Sequence, residues 1–137
     1  MVDVTDDVIY LMVSVRNAGA GLAVLNAWHI SARGDHIPTG EPDLEGFRRL
    51  TRDLYVAPGD TGFWQGALRE PADPLFTEIA TAARERRPMD LEVSYGDVDG
   101  GQRAVTRFGL MPRPDGQWLP AVSRHFTLDR AGPRSQG

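Results

Sequence analysis

Apolar and polar side chains alternate along several short segments of the chain. The clearest segment is residues 8 to 17, where one face of a strand would carry Ile9, Leu11, Val13 and Val15. Similar segments follow at 23–33, 48–57, 62–70, 89–95, 103–111 and 118–128. Clusters of Gly, Pro, Asn and Asp separate them, as is typical of turns. The pattern predicts about seven β-strands.

One segment has a different period. Apolar positions repeat every four residues at Leu75, Ile79 and Ala83. Asp73 can cap a helix here, Pro74 suits its first position, and Pro88 ends it. The sequence therefore predicts one short helix over residues 73–87, inserted between the fourth and fifth strands.

Many short strands with a single helix indicate an all-β protein, specifically an antiparallel immunoglobulin-like β-sandwich of about seven strands. The predicted domain spans residues 1–129, and residues 130–137 form a polar tail predicted to be disordered. Pro120 lies inside the last strand, which favours an edge position or a bulge for that strand.

The segment RDLYVAPGDTGFWQGAL, residues 52–68, predicts a β-hairpin in which Pro58 and Gly59 set the turn. Neighbouring residues of a strand point to opposite faces, so Phe63 and Trp64 should separate, with Trp64 favoured for the core. Trp28 is expected to be buried, on the same face as Val24 and Ile30.

The chain resembles known modules. VSVRNAGAGLA followed by LYVAPGD resembles the start of bacterial adhesion-related immunoglobulin-like domains. FRRLTRDLYVAPGDTGFWQGALRE, LEVSYGDVDGGQRAVTRF and VSRHFTLD are similar to the C-terminal module of uncharacterised actinobacterial proteins, which a membrane-spanning helix often precedes. The resemblance implies an immunoglobulin-like sandwich tethered to a membrane by a segment outside this chain, and it implies no catalytic residue.

Charge and composition narrow the function classes. The 137 residues carry a formal net charge of -4, and every basic residue other than histidine is arginine. This negative net charge argues against nucleic acid or an anionic membrane surface as the partner, because both are negatively charged and attract positively charged proteins. The absence of cysteine excludes disulfides, thiolate nucleophiles and cysteine-ligated zinc. No signal peptide or spanning helix is predicted, so a soluble domain is expected.

No complete catalytic or metal-binding motif is present. Residues 97–101, DVDGG, match only the first half of a calcium loop, and a hairpin turn explains them. His29, His36 and His125 have no ligand-pair spacing, and His125 is expected on the outer face of the last strand. Neither a nucleophile elbow nor a phosphate-binding loop occurs. We therefore expect no enzyme activity, no metal and no cofactor.

The strongest binding candidates are arginine, aromatic and amide side chains near the predicted hairpin, because Arg, Tyr and Trp are enriched at binding hot spots. They are Arg49, Arg52, Tyr55, Trp64 and Gln65. A second arginine set, Arg103, Arg107 and Arg124, predicts either surface ion pairs with Asp53, Glu92 or Asp90, or a pocket for an acidic ligand.

These patterns favour a non-enzymatic protein-interaction or sensing module whose partner is a protein that the sequence does not identify. A domain that binds a small molecule or anion in an arginine and aromatic cleft is the alternative. A structural spacer is the third interpretation.

Overall fold

The fold is known from a computed structural model that describes residues 1–18, 21–34, 40–97 and 103–127, with the side chains of Thr51, Arg52 and Asp97 outside the description. Within these ranges it has eight strands and one α-helix. The strands are β1 Val2–Val4, β2 Ile9–Arg16, β3 Ala23–Ala32, β4 Arg48–Val56, β5 Thr61–Leu68, β6 Met89–Asp97, β7 Arg103–Pro112 and β8 Trp118–Thr127. The helix α1 spans Pro74–Arg84, and a short 3-10 turn spans Leu44–Gly46.

The strands form two antiparallel sheets. One has three strands in the order β1-β2-β5, and the other has five in the order β4-β3-β6-β7-β8. The prediction of an all-β, sandwich-like fold is confirmed. The additional strand, β1, has three residues, which is too short for alternation to be recognised in the sequence.

The core lies between the sheets. The predicted inner face of β2 is correct, since Ile9, Leu11 and Val13 are buried. Trp64 is fully buried and meets the ring of Trp28 edge to face, with the ring centroids 5.3 Å apart. Aromatic pairs prefer this geometry, so the two indoles form a dense centre for the sandwich.

Trp28 and Ile30 are buried as predicted, but Val24 does not share their face. The register of β3 shifts between Leu25 and Ala27 against both neighbouring strands. A bulge adds one residue and reverses the alternation beyond it. Leu25 therefore takes the buried position that the sequence pattern assigned to Val24.

The prediction of a hairpin at residues 52–68 is wrong, although the turn itself is correct. Gly59 has φ +80°, and the amide of Asp60 donates to the carbonyl of Ala57, as expected for a turn with Pro58 and Gly59 at its centre. However, β4 pairs with β3 and β5 pairs with β2. The turn therefore carries the chain from one sheet to the other.

The helix begins as predicted. Asp73 is the N-cap, its carboxylate accepts from the amide of Leu75, and Pro74 is the first helical residue. The helix ends at Arg84, before the predicted end at residue 87, because Arg86 has φ +56°, outside the helical region. The buried side chains are Phe76, Ile79, Ala80 and Ala82, so the predicted stripe of Leu75, Ile79 and Ala83 is only partly correct.

The last strand, β8, lies at the edge of the five-stranded sheet, and its register shifts where Arg107 and Phe108 of β7 face it. The edge position predicted from Pro120 is confirmed. The predicted tail, residues 130–137, lies outside the described residues. Among the described helices, none is long and apolar enough to cross a membrane.

Candidate functional site

The structure does not bring the five predicted binding residues to one surface. Trp64 has 0 % exposure and belongs to the core, so its predicted place in a binding surface is wrong, whereas Tyr55 is 58 % exposed. Tyr55 pairs with Val24 in the five-stranded sheet, and Gln65 pairs with Met12 in the other sheet. Arg49 is exposed, and the side chain of Arg52 lies outside the described residues.

A cleft of about 630 Å³, which the sequence did not predict, lies between the two sheets. Strand β1 pairs only with residues 9–11 of β2, so it does not continue beside residues 14–17. The five-stranded sheet is wider, and part of its inner face is therefore left open at this end. The apolar side chains of the cleft are Val15, Ala18, Ala23, Leu25, Val56, Phe108, Pro120 and Val122, and Ser14, Arg16 and Asn17 also line it.

Three polar side chains meet in this cleft. Oη of Tyr95 lies 3.0 Å from Nδ1 of His125, and Oγ1 of Thr106 lies 3.1 Å from the same nitrogen. These residues come from the neighbouring strands β6, β7 and β8, and pairing places Thr106 directly beside His125. The cleft therefore combines apolar walls with hydroxyl and imidazole groups that can donate or accept hydrogen bonds.

The position of His125 corrects a prediction. It was expected on the outer face of the last strand, but it lines the cleft between the sheets with Phe108 and Tyr95. The register shift in β8 changes the alternation that the sequence pattern implies. The three polar residues meet because the consecutive strands β6, β7 and β8 pair with one another, and the register of that pairing cannot be read from the spacing of the residues in the sequence.

Asn17 holds one wall of the cleft. Its Nδ2 donates to the carbonyls of Gly21 and Val56, each at 2.8 Å, and its own carbonyl accepts from the amide of Gly59. Asn17 is buried, so these bonds link the end of β2 to the end of β4 with little competition from water. Asn17 therefore has a structural role.

A buried charge cluster occupies the opposite, outer face of the five-stranded sheet. Nε and Nη2 of Arg107 donate to Oε2 of Glu92 at 2.9 and 2.6 Å, and Nη2 also donates to the carbonyl of Gly40. Arg107–Glu92 is one of the ion pairs that the predicted arginine set allowed, but it is buried rather than at the surface. His29 contacts the second oxygen of Glu92 at 3.4 Å and stacks on Phe47.

The protonation of Glu92 follows from these contacts. Burial raises the pKa of the carboxyl, while hydrogen bonds from His29 and Arg107 and the charge of Arg107 lower it. The pKa of Glu92 is lowered overall, so the carboxylate stays charged. Because its oxygens already accept from Arg107 and His29, this cluster is suited to holding residues 40–47 on the sheet.

A second ion pair lies beside it. Nε and Nη2 of Arg33 donate to the two carboxylate oxygens of Asp90 at 3.1 and 2.7 Å, a forked geometry. The hydrogen bond to Asp90 raises the pKa of Arg33. In both ion pairs on the outer face, the arginine is hydrogen-bonded to an acidic side chain of the protein itself.

Metal binding finds no support in the described residues. No group of three or more His, Asp or Glu side chains there could hold an ion. Residues 98–101 of the half calcium loop, the Asp97 side chain and His36 lie outside the described part of the chain.

Comparisons with known proteins give little further information. No protein-family model and no curated protein matches the chain. A crystal structure of a protein from Archaeoglobus fulgidus is similar over 96 % of this chain and 94 % of its own, with 15 % sequence identity and a TM-score of 0.37. A score this low carries no argument about function. The resemblance to actinobacterial modules and adhesion-related domains stays a prediction.

Proposed function

We propose that this domain is a non-enzymatic binding module for a small, largely apolar molecule, held in the cleft between the sheets. The ligand carries one polar group that exchanges hydrogen bonds with Tyr95, Thr106 and His125. A small-molecule site is one of the functions that the sequence predicts, but the residues proposed here differ from the predicted arginine and aromatic residues and lie in a different part of the sandwich.

The volume and the lining of the cleft support this proposal. Its volume of about 630 Å³ lies within the range of about 300–1,000 Å³ typical of ligand sites. Such sites are lined mainly by apolar side chains with a few polar groups that orient the ligand, and in this cleft apolar residues likewise outnumber polar ones, which include the charged Arg16. The exposure of Val122, 64 %, leaves apolar surface at its entrance.

Strand β8 offers a matched pair of variants to test the site. Val122 lines the cleft, whereas Leu119, 47 % exposed, pairs with Met111 and does not line it. Val122→Asp would place a charge against the ligand, and Leu119→Asp would place the same charge on the same strand outside the cleft. Both positions are exposed, so both variants should fold.

The probe is diphenylhexatriene, a neutral apolar fluorophore, titrated with each protein. We expect saturable fluorescence enhancement with the wild type and with Leu119→Asp, and at least tenfold weaker binding with Val122→Asp. A panel of indole, hexanol and hexanoic acid then tests the polar group, with His125→Ala expected to reduce the preference for the polar compounds. Equal binding by the two aspartate variants, or no saturable binding, would overturn the proposal.

We infer an immunoglobulin-like strand order, in which β1-β2-β5 corresponds to strands A-B-E and β4-β3-β6-β7 to strands C′-C-F-G of a variable-type domain. In this correspondence β8 is an additional strand, and it supplies Pro120, Val122 and His125 to the cleft.

Protein interaction remains a second candidate function, because Tyr55 and Phe63 are 58 % and 62 % exposed. Large exposed aromatic side chains favour partner contacts. Affinity capture from detergent-treated lysate, compared between the wild type and Tyr55→Ser/Phe63→Ser, tests it. A protein retained by the wild type and lost by the folded variant supports this function, and identical captures argue against it. A membrane tether outside this chain, as the resemblance implies, is compatible with both functions.

A further inference from the structure

We propose a second binding site, for a small organic oxyanion such as a phosphate ester or a carboxylate, in a groove between strands β4 and β5. The groove has a volume of about 520 Å³. It differs from the cleft of the proposed function in its residues, its position and the charge of its ligand. Binding at one site can therefore be tested independently of binding at the other.

Arginines make this groove unusual in a chain whose net charge is -4. Arg48 and Arg49 reach it from β4, and Arg69 reaches it from the residue after β5. Guanidinium groups donate paired hydrogen bonds whose geometry matches carboxylate and phosphate oxygens. The groove is therefore a local basic surface on an acidic protein.

The three arginines are not equivalent. Nη2 of Arg48 donates to Asp73 at 2.6 Å, and this hydrogen bond lowers the pKa of Asp73. Arg48 is thus engaged at the start of the helix. In the described ranges Arg49 and Arg69 form no ion pair with an acid, and the guanidinium of Arg69 lies over the ring of Tyr10, 5.5 Å from its centroid.

The remaining surface suits an organic ion rather than a bare one. Leu11, Trp28 and Gly66 line the groove, and the amide of Gln65 adds a hydrogen-bond donor. Tyr10 also lines it and presents an aromatic ring. A planar carboxylate or aryl phosphate could contact the ring and the guanidinium groups at the same time.

One acidic side chain, Glu70, also lines the groove. Its negative charge repels an anionic ligand, so removing this charge should have the opposite effect on affinity from removing the charge of an arginine. Removing the charge of Arg49 or Arg69 must weaken binding, and removing that of Glu70 must strengthen it. If these exposed side chains had only a structural role, the arginine and glutamate variants would not change the affinity in opposite directions.

The probes are phenyl phosphate and benzoate, with benzyl alcohol as the neutral analogue, titrated at constant ionic strength and followed by amide NMR shifts of Gly66 and Ala67. We expect binding to be about fivefold weaker in Arg49→Gln and in Arg69→Gln, and stronger in Glu70→Gln. Arg113→Gln, between β7 and β8 and not among the residues that line the groove, is the control and should leave binding unchanged. Benzyl alcohol should shift neither amide.

Vesicles containing phosphatidic acid distinguish a lipid headgroup from a free phosphate ester as the source of the oxyanion. Arg49-dependent binding to vesicles, absent with phosphatidylcholine alone, would identify a lipid ligand, and phenyl phosphate binding alone would identify a soluble one. Shifts that are absent, or that are equal in the Arg49→Gln, Glu70→Gln and Arg113→Gln variants, would overturn the proposal.

Discussion

Arg107 and Glu92 form a buried ion pair across two neighbouring strands, with only 4 % and 7 % of the two residues exposed. Two hydrogen bonds from Arg107 reach the same oxygen of Glu92. Burial of such a pair has a desolvation cost that its attraction only partly offsets, so the pair need not stabilise the fold by much. Replacing one partner has a larger effect, since the other would stay buried without the opposite charge that it contacts here.

Glu92→Gln should therefore destabilise the domain by about 3 kcal/mol, because it removes the negative charge that the buried guanidinium of Arg107 contacts. Urea unfolding followed by tryptophan fluorescence measures the change. A loss below about 1 kcal/mol would contradict the assignment of a fully buried pair.

Replacing both partners should cost less than replacing one. In Glu92→Leu/Arg107→Met neither charge of the buried pair remains, and the lost contacts include the hydrogen bond from Arg107 to the carbonyl of Gly40 and the contact of His29 with Glu92. We expect this variant to be within about 1 kcal/mol of the wild type. A double variant as unstable as the sum of the two single variants would show that the residues act independently.

Glu92 also predicts a pH dependence. Its pKa is lower in the folded protein than its usual value of 4.5, so its stabilising contribution is complete above that pH. The contribution is lost as the pH falls through the lower, folded-state pKa. Between about pH 5 and pH 3, the unfolding free energy of the wild type should fall more steeply than that of Glu92→Gln. Asp73, whose pKa is also lowered, is present in both proteins and should cancel in the difference.

The fold could be predicted from the sequence where local pattern determines it. Alternation placed the inner face of β2 correctly, and the Asp73-Pro74 pair marked the start of the helix correctly. The prediction fails where contacts between distant parts of the sequence determine the structure. Strand β4 could pair with β3 or with β5, and the packing of the complete sandwich, not the local sequence, determines that it pairs with β3.

The candidate site was less predictable for a different reason, the register of consecutive strands. Tyr95, Thr106 and His125 are separated in sequence, and only the register of three strands unites them. That register contains a bulge, which sequence alternation does not reveal. Arg49 and Gln65 were identified as binding candidates, and both line the oxyanion groove proposed above.

Gly66 allows the two core tryptophans to approach each other, and substitution should show this. A Cβ there would lie 2.6 Å from Cη2 of Trp64 and 3.1 Å from Cε2 of Trp28, and both rings are buried. Gly66→Ala should cost about 2–3 kcal/mol through overpacking and should change the near-ultraviolet circular dichroism of the indoles. In Gly34→Ala the new methyl group meets no atom within 4 Å, and we expect a change below about 0.5 kcal/mol. Similar effects of the two alanines would contradict the packing described.

Asn17 gives the last prediction, because its amide donates to two carbonyls in a buried position. Asn17→Asp removes both donated bonds and places a carboxylate against the carbonyls of Gly21 and Val56, so we expect a loss of about 3 kcal/mol at neutral pH. Asn17→Ala removes the donors without adding a charge and should cost less, about 2 kcal/mol. A protonated aspartic acid can donate one bond, so the difference between the variants should shrink as the pH falls. Urea unfolding at neutral and acidic pH measures both effects, and a difference that does not change with pH would rule out the donor role of Asn17.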